Sequence, residues 1–163
     1  MASESSFDIV SKIDLFEVDN AVGQTLKEVS TRFDLKAAGT EIRREEHVLH
    51  LGASDGYKLK SVVEILLQRL AKRGVPLKGL THSKVQVTPT GRASQQIEIQ
   101  DGIPAEKARE IVKHVKEQKL KVQASILADQ VRVWGAKKDD LQAVIRSLRE
   151  TDLGIHMQFT NYR

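Results

Sequence analysis

Residues 121–135 have the sequence KVQASILADQVRVWG, in which apolar and polar side chains alternate on both sides of Ala128-Asp129. Alternation with a period of two is typical of strands that bury only one face. We predict two strands here, Lys121 to Leu127 and Gln130 to Trp134, joined by a tight turn at Ala128-Asp129. The segment therefore predicts an antiparallel hairpin with one apolar face and one polar face.

The hairpin lies between two segments with helical spacing. Apolar residues recur every three or four positions from Pro104 to Val115 and from Lys138 to Leu148, which places them on one side of each helix. An alternating strand at 96–100 precedes the first helix, and another at 155–159 follows the second. The C-terminal half therefore has the predicted order strand, helix, strand, strand, helix, strand.

The N-terminal half repeats this order. This is the order of the split βαβ motif. We therefore predict an α+β fold of two ferredoxin-like (βαββαβ) units, each a four-stranded antiparallel sheet with two helices on one face. The predicted units are residues 1–90 and 91–163. The first unit consists of a strand at 7–11, a helix from Asp14 with an apolar face reaching Phe33, a hairpin at 35–43 and 47–52, a helix from Asp55, and a strand at 85–87.

Composition narrows the class of protein. The chain has no cysteine, which excludes disulfides, thiolate metal sites and cysteine nucleophiles. No secretory leader is visible, and the most apolar stretch, Val62 to Ala71, is too short and too charged to span a bilayer. We therefore expect a cytoplasmic protein that does not contact membranes.

The motifs of common enzymes and cofactor sites do not occur. The chain lacks the phosphate-binding loop GxxxxGK[ST] and the dinucleotide-binding pattern GxGxxG. Asp139-Asp140 is explained by the preference for acids in the first turn of a helix. His47 and His50 are three positions apart in a predicted strand, so they point to opposite faces and cannot bind one ion. We therefore expect no metal, no cofactor and no enzymatic activity.

Positive charge is concentrated in one segment. The chain has a formal net charge of +4, and residues 107–121 contain six Lys or Arg against two Glu. A basic cluster on an otherwise balanced protein indicates an anion-binding surface. The alternative is a helix whose charged face is simply solvated.

The strand periodicity predicts which residues lie on the helix-free face of the second unit. Lys121, Arg132 and Trp134 fall on this face, where we expect Lys119, Lys121 and Arg132 to lie close together. Cations suit phosphates and an indole suits a stacked base. The candidate phosphate-binding residues are therefore Lys119, Lys121, Arg132 and Lys138, with Trp134 as a stacking surface. Alternatively, the face is solvated or buried against the other unit. The same alternation adds Glu98, Gln100, Gln123, Ser125, Gln130, His156 and Gln158 to this face.

Several blocks of the sequence resemble the bacterial YajQ family of nucleotide-binding proteins. They extend over nearly the whole chain, although residues 78–96 contain no recognisable block. The turn at Ala128-Asp129 departs from the family, which tends to have Gly or Asn before this Asp. The matching blocks are SFDIVS (6–11), RFDL (32–35), LAKRGV (70–75), KLKVQA (119–124), KKDDLQAVI (137–145) and FTNYR (159–163).

The resemblance implies a pair of ferredoxin-like domains without known enzymatic activity. Family members are described as binding nucleotides, in some cases cyclic di-GMP, and as RNA binders or transcription-linked effectors. The family's topology also implies an alternative division of the chain. In that alternative the terminal segments pack into one unit, with the Phe7 and Phe159 blocks as neighbours, and the middle forms the other unit.

Three functions follow as hypotheses. The first is a non-enzymatic nucleotide-binding protein, for cyclic di-GMP or GTP, that holds phosphates on the basic patch of the second unit. The second is an RNA- or tRNA-binding protein, whose affinity would fall steeply with salt. The third is a protein-interaction module that uses the basic helix, residues 107–121, to bind an acidic partner.

Overall fold

The computed structural model describes residues 4–37 and 39–163. Helices pack against antiparallel sheets, which confirms the predicted α+β class. The elements in chain order are β1 (Ser5–Val10), α1 (Leu15–Thr31), β2 (Glu41–Glu45), β3 (Val48–Ala53), α2 (Gly56–Lys72), β4 (Leu80–His82), β5 (Gln86–Val87), β6 (Ala93–Ile99), α3 (Ala105–Glu117), β7 (Val122–Leu127), β8 (Gln130–Gly135), α4 (Lys138–Glu150) and β9 (Gln158–Thr160).

The chain divides into two compact units. One consists of Met1–Lys12 with Asp101–Arg163 and is called the terminal unit below; the other, Ile13–Gln100, is called the middle unit. In the terminal unit, an antiparallel sheet has the strand order β7-β8-β1-β9. Alternate strand residues pack with α3 and α4 in one apolar core, which includes Phe7, Ile9, Val131, Val133, Ile111, Val115, Val144 and Leu148.

The middle unit has its own sheet and core. Its strand order is β2-β3-β6-β4, and β5 also pairs with β6. On one side, β6 therefore pairs with two short strands, β4 and β5, where a single strand was predicted. This sheet has five strands instead of the predicted four. The interruption lies at Ser83, whose Oγ accepts the backbone N–H of Gln96 at 2.9 Å. Between β4 and β5, a side-chain oxygen thus accepts a backbone hydrogen bond from β6.

The first strand of each predicted unit lies in the sheet of the other unit. β1 pairs with β8 and β9, with Phe7 opposite Val133 and Ile9 opposite Phe159. β6 instead pairs with β3 and β4 of the middle unit. The observed units therefore differ from the predicted division into 1–90 and 91–163, and Glu98 and Gln100 belong to the middle unit. Both strands alternate in the same way, so periodicity cannot distinguish the sheet that each one joins.

The helices of the middle unit begin where capping residues predict. Asp14 Oδ1 accepts the N–H of Phe16 at 3.0 Å, and Asp55 Oδ1 accepts the N–H of Lys58 at 2.7 Å. The prediction that the first helix keeps an apolar face as far as Phe33 is wrong. The backbone is extended at Arg32, which ends α1, and Phe33 is 92% exposed. An ion pair from Arg32 to Asp34 at 2.9 Å spans this turn.

Candidate functional site

The helix-free face of the terminal unit carries two rows of polar side chains. Gln123 lies opposite Trp134, which lies opposite Ser6. Because alternate residues of a strand point to the same side of a sheet, the two rows belong to one surface. The second row contains Ser125, Arg132, Asp8 and Thr160.

A groove with a volume of about 300 Å³ lies at Trp134. Lys121, Gln123 and Glu4 also line it, together with the end of β8. The indole is half-buried, whereas Lys121 and Gln123 are exposed. The indole therefore offers an apolar surface to a planar ring, while the ammonium and amide groups offer hydrogen-bond donors beside it. The volume is at the small end of the range for small-molecule sites.

Asp8 and Arg132 form an ion pair in the second row. Asp8 is only 2% exposed. Arg132 Nε donates to Asp8 Oδ1 at 2.8 Å, and Asn161 Nδ2 donates to Oδ2 at 2.8 Å. The hydrogen bond from Arg132, helped by Asn161 and by the charge of Arg163, lowers the pKa of Asp8 against the opposing effect of burial. The same hydrogen bond raises the pKa of Arg132. The guanidinium is thereby held in one orientation, and its remaining N–H groups stay available to another acceptor.

The two cations of this face lie on opposite sides of the Trp134 row. Lys121 precedes Gln123, the neighbour of Trp134, whereas Arg132 lies opposite Ser125. At the usual rise of a strand, Lys121 and Ser125 are roughly 13 Å apart. The close grouping of Lys121 and Arg132 that we expected is therefore replaced by a flanking arrangement around the indole.

The other two predicted phosphate-binding residues, Lys119 and Lys138, do not line the groove at Trp134. Lys119 is exposed in the turn after α3 and has a left-handed backbone with φ of 55°. Lys138, the first residue of α4, lines a different groove, together with Tyr162 and Arg163. The structure thus brings Lys121 and Trp134 into one groove, places Arg132 in the neighbouring row, and leaves Lys138 apart.

Asp8, Asn161 and Arg163 were not among the residues predicted for this face. Asn161 lies in a β-bulge, because Asp8 pairs with Thr160 whereas Ser6 exchanges backbone hydrogen bonds with Arg163. The φ of Asn161 is 56°, a conformation that asparagine tolerates better than most residues. Asp8 could have been noticed in the sequence, because it is an acidic residue among apolar residues of a strand. Its partners could not be predicted, because they depend on which strands lie beside β1.

The described residues contain neither a metal cluster nor a membrane span. Within residues 4–37 and 39–163, three or more His, Asp or Glu side chains are nowhere grouped so that they could hold a metal ion. The helices in the same ranges are all too short or too polar to cross a membrane. His50 contacts a carboxylate instead, with Nε2 3.5 Å from Oε2 of Glu45.

Known proteins match this chain from end to end. The family described as "Nucleotide-binding protein YajQ-like" matches residues 5–163. A protein of Alkaliphilus oremlandii named "Nucleotide-binding protein" is 50% identical over 163 residues, which cover 100% of both chains. A protein of Solibacter usitatus with the same name is 52% identical over 162 residues, or 98% of each chain. Matches of this extent and identity show that the chain belongs to the YajQ family.

Proposed function

We propose that this chain is a non-enzymatic nucleotide-binding protein that binds its ligand on the helix-free face of the terminal unit. We further propose that both units are ferredoxin-like modules. The observation that carries the proposal is the half-buried indole of Trp134, which lines a groove with Lys121 while Arg132 lies in the next row. Relatives about 50% identical over the whole chain are named nucleotide-binding proteins, which supports the same assignment.

Each side chain has a distinct role in this proposal. A base stacks on the indole of Trp134, an interaction that contributes about 1–3 kcal/mol per base in other proteins. The amide of Gln123, opposite Trp134, hydrogen-bonds the edge of the base. Lys121 binds a phosphate on one side of the base, and Lys119 adds positive potential on that side. Arg132 binds a phosphate on the other side with a guanidinium that Asp8 already orients.

The flanking cations favour a ligand with phosphates on both sides of a base. Cyclic di-GMP has this property, because each of its nucleosides is joined to two phosphates. GTP carries all its phosphates on one side of the base, so it would use only one of the two cations. We therefore infer that a cyclic dinucleotide is the preferred small ligand and that the chain acts as a cyclic di-GMP effector.

Single-stranded RNA is a second candidate ligand. Each internal nucleotide of a strand also lies between two phosphates, which suits the same arrangement around Trp134. The other four basic side chains within residues 107–121, all of them on α3, would extend the contact to further phosphates. An RNA ligand predicts affinity that falls linearly, on logarithmic axes, with salt concentration, and more steeply than for a ligand with two phosphates.

Titration calorimetry with cyclic di-GMP, GTP and a short single-stranded RNA tests these assignments. We expect Trp134→Leu and Lys121→Ala each to weaken binding of the preferred ligand by about tenfold. Lys60→Ala is the matched control, because this exposed lysine lies on α2 of the middle unit and outside the basic segment 107–121. Tighter binding of GTP than of cyclic di-GMP would contradict the dinucleotide assignment. Absence of binding to all three ligands would contradict the function itself.

A further inference from the structure

A second groove lies between α4 and the C-terminal segment of the terminal unit. Its volume is about 300 Å³. The core residues Phe7, Leu141 and Ile145 line it, and each is buried. Tyr162 borders the same groove, is 58% exposed, and has its ring centroid 6.3 Å from that of Phe7. The groove therefore combines an apolar floor with an exposed aromatic side chain.

Two cationic side chains from different parts of the chain also line this groove. They are Lys138, which begins α4, and Arg163, which follows Tyr162. The other polar side chains at the groove, Ser5, Ser6 and Gln142, are uncharged, so its lining includes no acidic side chain. Lys138 forms no ion pair with the part of the chain that the structure describes. Its charge is therefore available to a ligand.

We propose that this groove binds a small organic anion with a flat apolar body, such as an aromatic carboxylate or sulfonate. The apolar body would leave water by packing on the exposed ring of Tyr162, which lines the groove together with the buried Phe7, Leu141 and Ile145. The anionic group would accept hydrogen bonds from Lys138 and Arg163 at the rim.

The site is also distinct from the one proposed for nucleotides. The groove at Trp134 and the groove at Tyr162 share no lining residue. A ligand of the second groove should therefore still bind when the first site is disabled by Trp134→Leu. This separation allows each proposal to fail without the other.

Two fluorescent probes with apolar bodies of nearly equal size test the proposal on the full chain. Anilinonaphthalene sulfonate carries one negative charge, and phenylnaphthylamine carries none. We expect saturable binding of one sulfonate probe per chain and affinity for the neutral probe that is lower by about tenfold. The double variant Lys138→Ala/Arg163→Ala should bind the sulfonate no better than the neutral probe.

Lys137→Ala is the matched control, because Lys137 is an exposed neighbour of Lys138 that does not line the groove. This variant should bind both probes as the wild type does, and thermal unfolding checks that all variants fold. Methyl resonances of Leu141 and Ile145 should shift during titration of the wild type with the sulfonate. Equal affinity for the two probes, full binding by the double variant, or shifts confined to other methyl groups would each overturn the proposal.

Discussion

Asp8 and Arg132 face each other on the neighbouring strands β1 and β8, and the guanidinium contacts both oxygens of the carboxylate. The side chain of Asp8 is 3% exposed, whereas that of Arg132 is 35% exposed. The acid is therefore held away from water while the base reaches the surface. This relationship couples the stability of the sheet to the orientation of a cation that we place in the nucleotide site.

Removing the cation alone should lower the free energy of unfolding more than removing both charges. Arg132→Ala leaves a buried carboxylate without its main donor, so we expect the free energy of unfolding to fall. Asp8→Asn/Arg132→Ala should be more stable than Arg132→Ala alone, because an amide needs no opposite charge. Urea unfolding followed by circular dichroism measures both. An unchanged urea midpoint for Arg132→Ala would show that the ion pair contributes nothing.

Acid should destabilise the wild type through Asp8. In the folded chain, hydrogen bonds and nearby positive charge lower the pKa of Asp8 below its ordinary value of 3.8. The unfolded chain therefore binds the proton first. The contribution of Asp8 is complete above the unfolded pKa and is lost as the pH falls through the folded pKa. We expect the urea midpoint of the wild type to fall more than that of Asp8→Asn below about pH 4. Parallel profiles for the two proteins would contradict this.

The turn between β7 and β8 should accept glycine with a gain in stability. Ala128 has φ of 55°, a conformation that costs a residue with a Cβ roughly 1 kcal/mol and costs glycine much less. We therefore expect Ala128→Gly to raise the free energy of unfolding by about 1 kcal/mol. Ala124→Gly, in the middle of β7, is the control and should lower it. A loss of stability in Ala128→Gly would show that the turn is not strained.

A side chain at Gly135 should disturb the groove at Trp134. A Cβ at this position would lie 2.9 Å from the carbonyl oxygen of Lys121 and 3.1 Å from Cγ1 of Val122. The backbone of Lys121 would have to move, which costs about 1–3 kcal/mol in packed sites. We expect Gly135→Ala to lower both the thermal stability and the affinity for the nucleotide. Gly23→Ala is the control, because a Cβ there meets nothing within 4 Å.

We expect Lys119 to lower the stability of the fold and to raise the affinity for the nucleotide. Its left-handed backbone, with φ of 55°, would suit glycine better, whereas its ammonium group adds positive potential at the proposed nucleotide site. Lys119→Gly should therefore gain about 1 kcal/mol of stability and lose affinity for the nucleotide. Lys119→Ala should lose the same affinity without the gain in stability. Calorimetry and urea unfolding separate the two effects. Unchanged affinity in both variants would remove Lys119 from the site.

The face that each strand presents to the core could be read from local spacing. Alternation through the β7–β8 hairpin places Val131 and Val133 in the core and Arg132 and Trp134 on the opposite side, because successive side chains of a strand point in opposite directions. Asp14 and Asp55 were equally visible as helix starts, since a cap acts on N–H groups only two or three residues away. These features depend on near neighbours in the chain.

Which strand or helix packs beside each of these faces depends on residues far apart in the chain. No local sequence pattern predicts that choice. β1 and β6 are both alternating strands, yet each joins the sheet that the repeat assigned to the other. That choice places Asp8 beside Arg132 and brings Asn161 to the same carboxylate. It also brings Phe7 to the groove that Lys138 and Tyr162 line. Spacing states which side of a strand is apolar, whereas the packing of the whole core selects the strand that lies next to it.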